Sequence, residues 1–248
     1  MSQVMVITGA GRGIGAAIAR AAAQRGYAVA VNYARSAGEA DAVVQSITAA
    51  GGKAVAIQAD VSTAEGAAKL FAEVDQKLGR VDVLVNNAGI VGPVAKLDAM
   101  PPQELIDAFA INTFSVFWCT GEAVKRMGTS HGGKGGAIVN MSSIAARHGG
   151  MAGETVYAAS KAAVDTLTLG LAKELASEGI RVNAVRPGLI QTTIHAAHGG
   201  DETLKKLAPL VPLGRVGAPD EVAETVLWLA SPGSSYIHGV LLDVSGGR

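Results

Sequence analysis

In the stretch VYAASKAAV, a tyrosine and a lysine stand four residues apart, Tyr157 and Lys161. The segment is alanine-rich, and on a helix that spacing puts both side chains on one face. A phenol is a weak acid with an ordinary pKa near ~10. A neighbouring ammonium favours the phenolate and brings that value closer to neutrality. Such a pair can exchange a proton with a substrate oxygen. It can equally be an ordinary surface pair on a helix, so the remainder of the chain must decide.

A second constellation lies near the start. The run VMVITGAGRGIGAAIARAAAQRG reads as strand, glycine turn and helix, with glycines at Gly9, Gly11, Gly13 and Gly15. Two registers fit it. Gly11-x-Gly13-x-x-Ala16 satisfies a general dinucleotide fingerprint, and Thr8-Gly9-x-x-x-Gly13-x-Gly15 is a more specific variant. In both, missing side chains let the backbone approach a pyrophosphate, and a helix starting near Ile14 points its N–H groups at it. A glycine-rich turn without a ligand has the same composition; its place between a first strand and a helix is what points to a dinucleotide. An acid that accepts from a ribose 2′-OH commonly ends the second strand. Here that strand runs into AVNYARSAGE, with Tyr33 at the acidic position, Arg35 and Ser36 after it, and Arg12 inside the glycine turn. A carboxylate repels a 2′-phosphate and a guanidinium attracts it, so the sequence predicts NADP(H) rather than NAD(H).

These residues need a scaffold. Short β-branched runs recur at 3–7, 28–32, 54–58, 81–87, 137–141, 181–185 and 240–244, each separated from the next by a longer segment of helical spacing. Near-continuous apolar strands alternating with helices predict a parallel sheet buried on both faces. Right-handed crossovers then give an α/β, doubly wound Rossmann fold of about seven strands. No linker interrupts the alternation, so residues 1–248 form one expected domain. The glycine-rich GTSHGGKGG at 128–136 reads as a surface loop. Residues 188–212 follow the sixth strand and form a candidate substrate lid, since loops at the carboxyl ends of strands build the site.

With those elements placed, the chain resembles the short-chain dehydrogenase/reductase family over nearly its whole length. The resemblance rests on the glycine motif, Asp60-Val61 after the third strand, and Asn86-Asn87-Ala88-Gly89 after the fourth. It continues with Asn112 in INTFSVF, NMSS after the fifth strand, Tyr157-x-x-x-Lys161, and Pro187-Gly188 after the sixth. It implies that Asp60 and Val61 contact adenine; Asp60 alone would read as a turn or helix-cap residue. It implies that Asn87, Ala88 and Gly89 line the cofactor's path, with Pro187, Gly188 and Ile190 beside it and Thr192 bonding the nicotinamide carboxamide. Asn112 resembles the residue that holds a water in the proton path. Ser142 and Ser143 both offer a hydroxyl, and the alignment favours Ser143. It stands fourteen positions before Tyr157, one more than in many members, which implies a one-residue insertion near AGETV beside the substrate pocket.

The implied activity is hydride transfer between nicotinamide and a carbonyl or secondary alcohol. Tyr157 is then the acid/base, Lys161 shifts its acidity and holds the nicotinamide ribose, and Ser143 donates to the developing oxyanion. The chain is similar both to 3-oxoacyl-carrier-protein reductases and to glucose or polyol dehydrogenases. Glu178 stands where carrier-protein enzymes often have a basic residue, whereas Lys125 and Arg126 are retained. A non-catalytic dinucleotide-binding scaffold or redox sensor is the alternative of another class. Such proteins tend to lose one of the serine, tyrosine and lysine. An epimerase or dehydratase would need a larger C-terminal substrate domain.

Bulk composition excludes other partners. Formal net charge is zero, with no dense basic run, which argues against nucleic acid and anionic membrane. No apolar run is long enough to span a bilayer. The single cysteine, Cys119, makes no internal disulfide, and no metal-type spacing exists, which fits a cytoplasmic protein. His195 and His198 read as loop histidines. The family usually forms tetramers, and the segment from Tyr157 to Leu175 is small or apolar nearly all round, as expected for a helix covered on more than one side.

Overall fold

The structure is a computed structural model that describes residues 2–192 and 200–248. The strands are β1 (Val4–Ile7), β2 (Ala28–Tyr33), β3 (Lys53–Gln58), β4 (Val83–Asn86), β5 (Gly136–Met141), β6 (Ile180–Pro187) and β7 (Leu241–Val244). They form one seven-stranded sheet in the order β3-β2-β1-β4-β5-β6-β7, and every pairing is parallel. Each β-branched run of the sequence became one of these strands. The fourth starts later than its apolar run, because Asp82 turns back to accept from Val4 N at 2.7 Å before the ladder begins. The sixth runs on to Pro187, which ends it at the site.

Helices cover both faces. On one side lie α1 (Gly13–Gln24), α2 (Ala37–Ala49) and α9 (Pro219–Ala230); on the other lie α3 (Ala64–Lys77), α5 (Ser115–Met127) and α7 (Thr155–Leu175). The shorter α4 (Pro102–Phe109), α6 (Ala145–His148) and α8 (Gly200–Leu207) lie in the connections. Two apolar cores sandwich the sheet. Their side chains are mostly Ala, Val, Ile and Leu; the largest fully buried one is Phe71. Alanines 16, 17, 19 and 22 of α1 are all buried, and their small size lets that helix lie close to the sheet and to α9. This brings its N-terminus down onto the end of β1.

Strand order reverses between β1 and β4. In an open parallel sheet the crevice outside the carboxyl ends of the strands at that point is where ligands bind. The glycine turn after β1, the segment after β4, the serines after β5 and Pro187 of β6 all reach this edge. Residues 128–136 form the surface loop into β5 expected of them. His195 and His198 lie outside the described residues. So does the middle of the 188–212 segment, whose two flanks are stitched together by Gln191 N to Gly217 O and Gly217 N to Leu189 O, both 2.9 Å.

Candidate active site

Four strand ends are tied together by three polar side chains. Thr8, buried at the end of β1, accepts on Oγ1 from the backbone N–H groups of Asn87 and Ala88, both at 2.9 Å. Asn87 donates through Nδ2 to Thr8 O at 2.9 Å and Gly9 O at 3.0 Å. Asn32 of β2 accepts from Gly9 N at 3.2 Å and donates to Ile57 O and Ala59 O beside β3. The glycine turn is thereby held rigid before any ligand arrives. Gly13 has φ +55°, and a Cβ on Gly15 would lie 2.5 Å from Asn87 Nδ2 and 2.6 Å from Gly9 O. Arg12 caps α1 without a side-chain bond. The first N–H groups of that helix, at Ile14 and its neighbours, therefore face the turn without a side-chain partner. A backbone cradle under a helix N-terminus fits a pyrophosphate. Thr192 lies across it: a Cβ on Gly13 would stand 3.6 Å from Thr192 Cγ2.

At the outer end of this cradle, Tyr33 is half-buried against the core, and Arg35 and Ser36 are exposed just before α2. Ser36 makes no capping bond, leaving the helix N-terminus open. The strand end lacks an acid, but the fold brings one in. Glu39, in the first turn of α2, lies 4.0 Å from Arg12 Nη1. In sequence Glu39 stands past the turn, and only the fold brings it to Arg12. Asp60 accepts on Oδ1 from Ser62 N and Ser62 Oγ, as a turn residue does, and Thr63 caps α3 in its place. Val61 is buried beside it.

The chemical cluster sits where β5, α6 and α7 meet. The two serines divide their work. Ser142 Oγ is buried and donates to Lys161 O at 3.1 Å. Ser143 Oγ accepts from Ala145 N at 3.1 Å, and its hydroxyl stands close enough to Tyr157 to act on the phenol. Lys161 is 4% exposed and donates through Nζ to Met141 O at 2.8 Å. Gly89 leaves room for it: a Cβ there would lie 3.2 Å from both Lys161 Nζ and Asn112 Oδ1.

In the protein alone the Tyr157 phenol lies above its ordinary value rather than below it. Burial pushes the phenol above its ordinary value; the Ser143 hydroxyl pulls it down and the Glu154 carboxylate pushes it up again. The same burial brings Lys161 down to about 8, so its ammonium is itself held weakly. The side-chain amide of Asn112 is engaged within the protein. It accepts from Ile90 N at 2.8 Å and donates to Ile90 O and Ser160 Oγ, both at 2.9 Å. It stands in a π-helical turn, Ala110–Phe114, between α4 and α5. Such turns disturb the regular ladder and are common at functional sites.

A phenol beside a hydroxyl, backed by a buried ammonium and lining the same cleft as the glycine turn's helix, can pass a proton to or from an oxygen beside a nicotinamide. A family model described as enoyl-(acyl carrier protein) reductase matches residues 9–248. The chain is 43% identical over 245 residues to the uncharacterized oxidoreductase YgfF of Escherichia coli, covering 99% of each. It is 42% identical over 247 residues to the 3-oxoacyl-[acyl-carrier-protein] reductase of Synechocystis, covering 99% of this chain and 96% of that one. A short-chain dehydrogenase/reductase from Serratia marcescens superposes with a TM-score of 0.90 at 37% identity, over 99% of this chain and 97% of the other. The chain belongs to the short-chain dehydrogenase/reductase family. It is an oxidoreductase whose family uses a nicotinamide dinucleotide.

The cleft of this short-chain dehydrogenase/reductase also holds residues that the sequence did not single out. Val91, Ile144, His148, Met151, Leu189 and Arg248 line the cleft with Ser143 and Tyr157, as does Glu154. The connection from Ser143 to Tyr157 passes through a tight turn in which Gly149, Gly150 and Gly153 have φ of +87°, +79° and +88°. Glu154 Oε2 accepts from Met151 N at 2.9 Å and fixes that turn.

Proposed function

We propose that this enzyme transfers a hydride between NADP(H) and a carbonyl or secondary alcohol, with Tyr157 as acid/base. The observation that carries the reading is the Ser143–Tyr157–Lys161 cluster, which opens on the cleft that also receives the glycine cradle. Residues Gly9, Gly11, Gly13, Ile14 and Gly15 would hold the pyrophosphate, with Asn87, Ala88 and Gly89 along its path. Asp60 and Val61 would hold adenine, and Pro187, Gly188, Ile190 and Thr192 the nicotinamide end. When bound, the reduced nicotinamide supplies the hydride.

This chain's residues handle the proton. Ser143 orients the substrate oxygen and stabilises the charge that grows on it, a contribution of about 2–4 kcal/mol in comparable sites. Tyr157 gives its hydroxyl proton to that oxygen in reduction and accepts one in oxidation. Lys161 favours the resulting phenolate and bonds the ribose. Because the Asn112 amide is engaged, the main chain of its π turn is the part that would hold a water in the proton path. Arg12, Arg35 and Ser36 would receive a 2′-phosphate, for which Arg12 must leave Glu39. The 188–212 segment would close over the substrate.

A homotetramer is part of the proposal. Phe117 and Trp118 on α5 are 49% and 41% exposed, and Leu169 on α7 is 42% exposed, which suits helices covered by a second copy. The alternative of a non-catalytic dinucleotide-binding scaffold or redox sensor has little support, since Ser143, Tyr157 and Lys161 are all present.

A second reading, 3-oxoacyl-carrier-protein reductase, is favoured by the relatives at 42% identity that carry that name. Against it, the basic pair that could meet an acidic carrier is already matched. Lys125 Nζ is 2.6 Å from Glu122, and Arg126 is 2.8 Å from both Glu122 and Asp75. The test is NADPH oxidation against acyl thioesters, sugars, diketones and steroids. Turnover of at least one class with NADPH, and weaker use of NADH, is expected. No turnover on any class, or clearly tighter binding of NADH, would contradict the proposal.

A further inference from the structure

One turn beyond Lys161, helix α7 carries a buried carboxylate that the mechanism above does not use. Asp165 is 6% exposed. Its Oδ2 accepts two bonds from Arg186 of β6, from Nε at 2.9 Å and Nη2 at 2.8 Å. Its Oδ1 is buried with no hydrogen-bond partner among the described residues. Arg186 reaches Asp243 Oδ1 of β7 at 3.5 Å, and Asp243 Oδ2 takes Arg147 Nη1 of α6 at 2.9 Å. Charges of alternating sign thus run from Lys161 through Asp165, Arg186 and Asp243 to the exposed Arg147.

Lys161 needs a counter-charge. Its Nζ bonds to one carbonyl in a buried site, where an ammonium has lost most of its hydration and tends to shed its proton. The surrounding elements offer few candidates. On α7 itself, Tyr157 is a neutral phenol and Glu154 lies one turn further away. Strand β5 has no ionisable side chain. Strand β6 brings Arg186, and α6 brings Arg147 and His148, none of them an acid. Helix α4 carries Glu104 and Asp107, the latter bonded to Gln103 at the surface. Asp243 stands behind Arg186. Asp165 remains, four residues from Lys161 on the same helical face.

We propose that Asp165 is a positioning residue: its buried carboxylate, anchored by Arg186, keeps Lys161 protonated and so maintains the positive charge beside Tyr157. The consequence for catalysis rests on the role given to Lys161 above; the effect on its charge does not. Burial alone pulls Lys161 downward, and Asp165 is the charge that opposes it, leaving the value at about 8. The loss of that carboxylate would bring deprotonation into the neutral range.

The test is a titration of cofactor-free protein labelled with 13C at lysine Cε, with the Lys161 signal assigned from Lys161→Arg. Asp165→Asn should lower the Lys161 pKa by about one unit, a tenfold change in its proton affinity. Asp165→Glu should restore it. Arg186→Gln, which removes a like charge and frees Asp165, should move it upward. A merely structural role moves neither value, or moves both the same way. An unmoved Lys161 in Asp165→Asn would overturn the proposal and leave the functional reading standing. Should Asp165→Asn fail to fold, Arg186→Gln decides: a rise supports the proposal, and no change or a fall overturns it. The alkaline limb of kcat/KM should follow Lys161 in each variant. If the titrations shift as stated while that limb stays fixed, the role of Lys161 in turnover is wrong and the electrostatic link is right.

Discussion

Tyr157, Lys161 and Ser143 were readable because their chemistry depends on local spacing. A helix turn joins the first two, and the serine follows a strand that ends in NMSS. What surrounds them was not readable, because it arrives through folding from distant segments. Glu154 is the clearest case. It looks like a loop acid in sequence, yet it raises the pKa of Tyr157. Glu154→Gln should therefore lower that pKa and move the limb of the pH–rate profile assigned to Tyr157 toward lower pH. A limb that stayed in place or moved up would show that the carboxylate does not act on the phenol. Asn112 is a similar case: nothing in INTFSVF signals that Ile90 and Ser160 take up its side-chain amide.

At the level of elements, all seven strands were visible as apolar runs, since a parallel sheet buried on both faces permits little else. Their ends were less visible, because Asp82 and Pro187 act through tertiary contacts. The π turn was hidden altogether: AINTF has the composition of any helix. Two substitutions probe how the elements hold the cradle. Gly15→Ala would push a methyl against Asn87 and the Gly9 carbonyl. It should cost about 1–3 kcal/mol, measured by denaturant unfolding, and weaken dinucleotide binding. Beneath the site, Asn140 accepts from Asn86 Nδ2 and donates to Thr168 Oγ1, both at 2.9 Å. Asn140→Leu would leave the buried Asn86 amide only its longer bond to Thr120 Oγ1, at 3.3 Å, and should destabilise the protein by about 1–3 kcal/mol. Unchanged stability in either variant would show that the packing relaxes more freely than these contacts imply.

For the whole molecule, the family and fold were legible because the order and spacing of its motifs are more specific than any one of them. Cofactor choice was only half legible. The missing acid at the end of β2 pointed to NADP(H), but Glu39, one helical turn further on, engages Arg12. Glu39→Gln should free that guanidinium and tighten NADPH binding without improving NADH, as read by fluorescence titration of each. Assembly can be checked by sedimentation velocity: Trp118→Arg should shift the proposed tetramer to smaller species. The central claim is that Tyr157 moves the proton in a reaction whose other parts it does not build. Single-turnover stopped-flow of Tyr157→Phe, preloaded with NADPH and mixed with a good carbonyl substrate, tests it most directly. Loss of NADPH oxidation by at least about a hundredfold, with NADPH affinity near that of the unaltered enzyme, is the predicted result; near-normal oxidation by the phenylalanine variant would contradict it.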